Sequence, residues 1–309
     1  MNKRLSILLS FACICCIAVA AEDSARSLSL SFTASSRMEA QVKLSGTLNF
    51  PALAGEGPLT KDNGLALTAS CAVTPVSVTG AAEAVFTPIA FFQLVAGGMV
   101  ATGWNIPLAD GLSVNEPGRD GGGNLDGTAE FVGDSFPGIV WSCKGGAVVQ
   151  FDFAAIRPGD WNHVVFRSYH SLWYRAFSAA SDEESWQFEN DVGEERNGWN
   201  YYANYFLGYR MPTKFSMVGF LFEQELNLYD TPGRETWGDD ISRFTIGLMA
   251  QYDFSETVSV NALVQARTKR NFLGTTGEYE FYQLREIDSD DPRRLEFYRI
   301  AVILKWTLL

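Results

Sequence analysis

The feature that most constrains this chain is an alternation of apolar and polar residues with a period of two. Leu28, Leu30, Phe32, Ala34, Met38, Ala40, Val42, Leu44, Leu48 and Phe50 share one parity. Ser27, Ser29, Ser31, Thr33, Ser35, Arg37, Glu39, Gln41, Lys43, Ser45, Thr47 and Asn49 fill the other. That period belongs to a β-strand whose two faces meet different media. The run is far longer than the roughly five or six residues usual for a strand in a soluble domain.

The same alternation recurs along the chain and predicts ten strands. After the first come Leu65 to Val73, Val85 to Thr102, Ala147 to Ala155, Trp161 to Ser178 and Trp199 to Met211. Val218 to Leu228, Phe244 to Phe254, Val258 to Ala266 and Tyr298 to Leu308 complete the set. Predicted connections sort by length. Short ones fall near Thr79–Ala84, Arg157–Asp160, Pro212–Lys214 and Ser255–Thr257. Long ones fall near Pro51–Asn63, Trp104–Pro137, Ala179–Asn197, Asp230–Asp240 and Lys269–Arg294. Glu278 to Arg285 is expected to extend a hairpin or to add strands. Aromatic residues gather at predicted strand ends: Trp161, Phe215, Tyr252, Phe254 and Trp306 on the short-turn side, and Phe50, Trp104, Trp199 and Tyr201 on the long-loop side. Two such belts suit rings that meet lipid headgroups.

Lys3 and Arg4 precede an apolar run ending in Ala18-Val19-Ala20-Ala21, which reads as a secretory signal over residues 1–21. A lipoprotein signal ending at Cys13, Cys15 or Cys16 is the alternative. Residues 22–309 then form the barrel region. The formal net charge of −12 argues against a nucleic-acid partner. Cys71 and Cys143 are separated by a predicted strand, too far apart to bridge.

Alternating strands, sorted loops and a C-terminal strand resemble the small bacterial outer-membrane β-barrel proteins as a class. The resemblance implies an all-β antiparallel transmembrane barrel of about ten strands, with eight or twelve as alternatives. It implies outer-membrane lipid and the barrel-assembly machinery as partners, with small solutes or an extracellular ligand. No cofactor is expected. The final Trp306-Thr307-Leu308-Leu309 departs from the aromatic end usual in the class.

The polar parity would face the lumen with Glu39, Lys43, Asp152, Arg167, Arg175, Arg210, Glu223, Glu225, Arg243, Asp253, Arg267, Arg299 and Lys305. Mixed charges there fit either a narrow channel or a filled interior. Ser168 and His170 share a face of strand five and are candidates for nucleophile and base of a lipid hydrolase. No carboxylate partner is evident for them. The strand count is also similar to that of the omptin-type outer-membrane proteases, but His163 and His170 both lie in strand five without an adjacent aspartate. Asp120, Asn124, Asp126 and Glu130 are candidate calcium ligands, although Leu125 stands where a twelve-residue calcium loop needs glycine. The stretch with Asp182, Glu183, Glu184, Glu189, Asp191, Glu194 and Glu195 is expected to be a solvated acidic loop. The leading reading is a non-enzymatic pore, structural or surface-binding barrel. A lipid hydrolase and a secreted soluble β-sandwich are the alternatives.

Overall fold

A computed structural model describes residues 25–107, 109, 111–132, 135–181, 184–189, 194–228, 237–274 and 281–309. The proposed signal segment, and with it Cys13, Cys15 and Cys16, lies outside the described residues, as do Asp182, Glu183 and Asp191. Among the described residues fifteen strands run in chain order: β1 Ala25–Ser35, β2 Ala40–Pro51, β3 Gly64–Val73, β4 Ser77–Ile89, β5 Phe92–Gly103, β6 Leu112–Arg119, β7 Leu125–Val132 and β8 Val140–Asp152. Then follow β9 His163–Phe177, β10 Trp186–Phe188, β11 Gly198–Arg210, β12 Phe215–Asn227, β13 Arg243–Asp253, β14 Val258–Arg270 and β15 Arg293–Thr307. All but β6, β7 and β10 close into one antiparallel barrel in the order β1-β15-β14-β13-β12-β11-β9-β8-β5-β4-β3-β2. A single closed ladder leaves no sheet edge and is not a two-sheet sandwich.

The barrel has twelve strands, not ten. The two extra strands were hidden by parity. The hairpin β1–β2 pairs Ala34 with Ala40, and β4–β5 pairs Phe86 with Leu94 before its register shifts at Ile89 and Phe92. Along most of each hairpin even residues therefore meet even residues, and the sequence alternation carries on past the turn. Neither turn carries a glycine or proline to mark it. Ser36–Glu39 turns with Met38 at φ 60°, a left-handed conformation rare outside glycine, and only Ala90 and Phe91 join β4 to β5. The expected connection at Thr79–Ala84 lies inside β4. The turn is Thr74–Val76, closed by Thr74 N–H donating to the Ser77 carbonyl at 3.0 Å.

This recount also moves one loop. Residues 52–63 sit with the termini at the barrel's turn end, so Phe50 belongs to that end too. The opposite, loop end carries the four long connections 104–139, 178–197, 228–242 and 271–292. Within 271–292, Tyr282–Leu284 is a short 3-10 turn, not a strand.

The outer wall is apolar. Phe32, Val42, Leu67, Val100, Phe166, Leu207, Leu248, Val264 and Val302 are each 37–65% exposed, and they ring the barrel. Water would make that surface far larger than the apolar patches soluble proteins tolerate. Hydrocarbon satisfies it, and barrel strands of 10–15 residues are long enough to cross. Trp161, Phe215, Phe254 and Trp306 project at the turn end, and Trp141 and Trp199 at the loop end.

Above the loop end, β10, β6 and β7 form a small sheet. Its base is a dry cluster of Leu112, Val140, Phe177 and Trp186, each at most 1% exposed, with Phe188 and Ala101. This cap is soldered to the barrel because Val140 and Phe177 are the loop-end residues of β8 and β9.

Candidate functional site

The lumen is lined by the polar parity, and its charges pair across neighbouring strands. Arg299 on β15 donates to Glu39 at 2.7 Å and to Gln265 at 2.8 Å. Gln265 reaches Glu223 at 3.3 Å, and the Tyr202 hydroxyl donates to Glu223 at 2.5 Å. Arg243 and Arg267 clasp Glu225 at 3.2 and 3.0 Å. Lys144 on β8 meets Glu83 on β4 at 2.5 Å, spanning β5 between them. Glu83 was missed by the sequence reading because it fell in the expected turn Thr79–Ala84, and Lys144 because the predicted strand began only at Ala147. Asp253 accepts from Gln251 at 2.8 Å. Cavities remain in the lumen, among them one of about 490 Å³ bordered by Arg37, Lys43, Trp173 and Tyr298, and one of about 280 Å³ bordered by Gln93, Arg167, Tyr169 and Asn204.

In the acidic connection 178–197, Glu184 is exposed as expected, but Glu189, Glu194 and Glu195 are not solvated. Glu189 accepts from Ser77 at the loop end of β4, at 2.5 Å. Glu194, only 6% exposed, receives Arg270 of β14 at 2.7 Å and lies within 3.9–4.0 Å of Arg285 and Arg243. Glu195 pairs with Arg175 at 3.1 Å. Arg196 pairs with Asp239 beneath the Trp237 ring. β4 and β14 lie five places apart in the ring of twelve, so Glu189 on one side and Glu194 on the other reach nearly opposite walls. Together with Glu195 and Arg196 they act as a crossbar at the loop-end mouth. Its physical cause is charge complementarity: buried carboxylates survive only where cations meet them, and β13 and β14 end in Arg243, Arg267 and Arg270.

Ser168 and His170 lie on the outer wall. Ser168 Oγ is 2.9 Å from His170 Nε2, and His170 Nδ1 is 2.7 Å from the Tyr201 hydroxyl. Tyr205 stands edge-on to the imidazole, with ring centroids 5.4 Å apart. The chain Ser168–His170–Tyr201 holds the imidazole ring between two hydroxyls. Ser168 is 7% exposed, and the neighbouring backbone N–H groups are committed to the ladder through Val149 and Tyr205. An ester carbonyl would find no ready oxyanion donor there.

His163 does have an aspartate beside it, contrary to the sequence reading. Its Nδ1 lies 2.7 Å from Asp152 Oδ2, because β8 and β9 are neighbours and both residues flank the connection 153–162. This pair is at the turn end, away from the long loops.

The candidate calcium ligands are occupied by their own turns. Asp120 accepts from the Asn124 side chain and from the backbone N–H groups of Asn124 and Gly122, both at 2.8 Å. Those bonds, the Asn124 side chain foremost, hold its carboxyl below the usual range. Asp126 accepts from Thr128, and Glu130 faces Glu116 across β6 and β7. Among the described residues no group of three or more His, Cys, Asp or Glu converges as a metal site. Cys71 and Cys143 are free thiols, with β4 and β5 between their strands.

The chain matches no protein-family model and no curated protein. Solved structures similar to it include a KdgM porin, 10% identical, covering 92% of this chain and 99% of that one at a TM-score of 0.39. A NanC porin is 6% identical over 92% and 100%, with a TM-score of 0.40. OmpT, an outer membrane protein of Vibrio cholerae, is 7% identical over 92% and 97%, with a TM-score of 0.33. These scores are low, and the barrel assignment rests on the closed ladder and its apolar exterior.

Proposed function

We propose that residues 1–21 direct export, that the assembly machinery inserts the remainder into an outer membrane, and that the barrel works there as a narrow diffusion channel for small polar solutes. The observation that carries this reading is an unfilled polar lumen. A plugged barrel fills its interior with side chains. Here cavities remain, bordered by polar groups such as Arg37, Lys43, Gln93 and Asn204, which water or a passing solute can meet. The crossbar narrows the loop-end mouth and leaves a path beside it bordered by Arg37, Lys43 and Tyr298. Chemistry on the outer wall is not needed for this role.

Solute entry into liposomes carrying the folded protein tests the reading. Swelling in small neutral solutes that fades as solute size grows is expected. Liposomes no more permeable than protein-free controls would refute it.

A further inference from the structure

The lumen's charges are not evenly committed. Its carboxylates are all engaged: Glu39, Glu83 and Glu225 by Lys or Arg, Asp152 by the His163 imidazole, Glu223 and Asp253 by neutral donors. Four inward cations are not. Lys43, Arg167, Arg210 and Lys305 make no ion pair among the described residues; Arg210 stands near Asp152 at the turn end, and Arg167 lies against the face of Tyr169.

Their placement is ordered. Ser31 on β1 pairs with Lys43 on one side and Lys305 on the other, so two ammonium groups straddle β1. Arg167 is on β9, which stands six places from β1 in the ring of twelve, directly across the lumen. Lys43 borders the larger cavity and Arg167 the smaller. An ion crossing the barrel therefore passes uncompensated positive charge on opposite walls, within low-dielectric surroundings that focus its field. Glu39, Glu83 and Glu225, by contrast, have their field cancelled at contact distance by the Lys or Arg beside them, while Glu223 and Asp253, bonded to neutral donors, keep their charge and are outnumbered by the four unpaired cations.

We infer that the channel favours anions although the whole chain carries a formal charge of −12, and that Lys43, Lys305 and Arg167 are the residues that set this preference. The solute class is small and anionic, held by ammonium and guanidinium groups. The inference rests on the channel reading above.

The test is the reversal potential of the full folded chain in a planar bilayer under a KCl gradient. Wild type is expected to reverse on the chloride side. Lys43→Glu, Arg167→Glu and Lys305→Glu should each move the reversal potential toward potassium, and the triple variant should change its sign. Lys43→Gln with Lys305→Gln supplies the milder form, with heat-modifiable gel mobility verifying closure. A conducting wild type that reverses at zero or on the potassium side overturns the inference and leaves the channel reading standing. Reversal potentials that ignore all of these substitutions overturn it as well. A folded protein that passes no current overturns the channel reading, and the inference falls with it.

Discussion

Replacing Glu194 by glutamine should release the crossbar. Glu194 is 6% exposed and Arg270 2% by side chain, with 2.7 Å between their charged atoms, and Arg285 and Arg243 stand close by. Removing one partner from a buried pair costs about 3–5 kcal/mol, because the other charge stays out of water. Glutamine keeps the shape and one acceptor, so the lower end applies. About 3 kcal/mol lowers the ratio of docked to undocked segment roughly a hundredfold. The barrel itself should not unfold, since the lost contacts tie a loop to the rim and leave the ladder whole. Single-channel recording reads the change directly. Wild type should hold one narrow conductance level, and Glu194→Gln should show frequent excursions to a wider one. Pairing Glu194→Gln with Arg270→Met should recover much of the wild-type record, because the stranded cation is then gone. Identical conductance and noise in wild type and Glu194→Gln would refute the idea that this ion pair holds the mouth narrow.

Other consequences follow from particular contacts. Phe206 lies over Gly208 and Gly219, and a Cβ at Gly219 would stand 2.3 Å from its ring. Gly219→Val should therefore cost about 1–3 kcal/mol, read by denaturant unfolding of the barrel in detergent, and an unchanged midpoint would show the ring moves freely. Ser168→Ala should cost only about 1 kcal/mol, the value of one hydrogen bond at a lipid wall, and a serine-directed fluorophosphonate should leave the folded wild type unlabelled. Labelling that disappears in Ser168→Ala would restore the hydrolase reading. Asp120 is held below its ordinary pKa by Asn124 and Gly122, so its contribution to the β6–β7 turn is present above the unfolded pKa and lost as pH falls through the folded one. NMR titration of the Asn124 amide should show a midpoint below that of a free aspartate, and a midpoint at or above it would contradict the turn geometry.

The barrel class was legible in the sequence because one physical signal, period-two alternation, survives at every crossing of a two-faced wall. Strand number was less legible for the same reason. Where Ala34 meets Ala40 and Phe86 meets Leu94, a hairpin preserves parity, and without a glycine or proline the turn leaves no trace. The inward charges of β9 and β11 to β15 could be read residue by residue, but which charges meet could not. Arg299 and Glu39 are 260 residues apart in sequence and become neighbours only when the ladder closes. The crossbar was the hardest feature to foresee. An acidic loop reads as solvated until Arg243, Arg270 and Arg285 are known to converge on it. Tyr201 was invisible as a partner of His170 because it was assigned to the aromatic belt.

The central claim is an open lumen inside a lipid-facing wall, and planar-bilayer recording tests it most directly. Purified protein that shows heat-modifiable mobility should produce discrete, ohmic current steps on insertion. The same folded, heat-modifiable protein producing no current above the bare lipid would contradict the account and make the barrel a closed one.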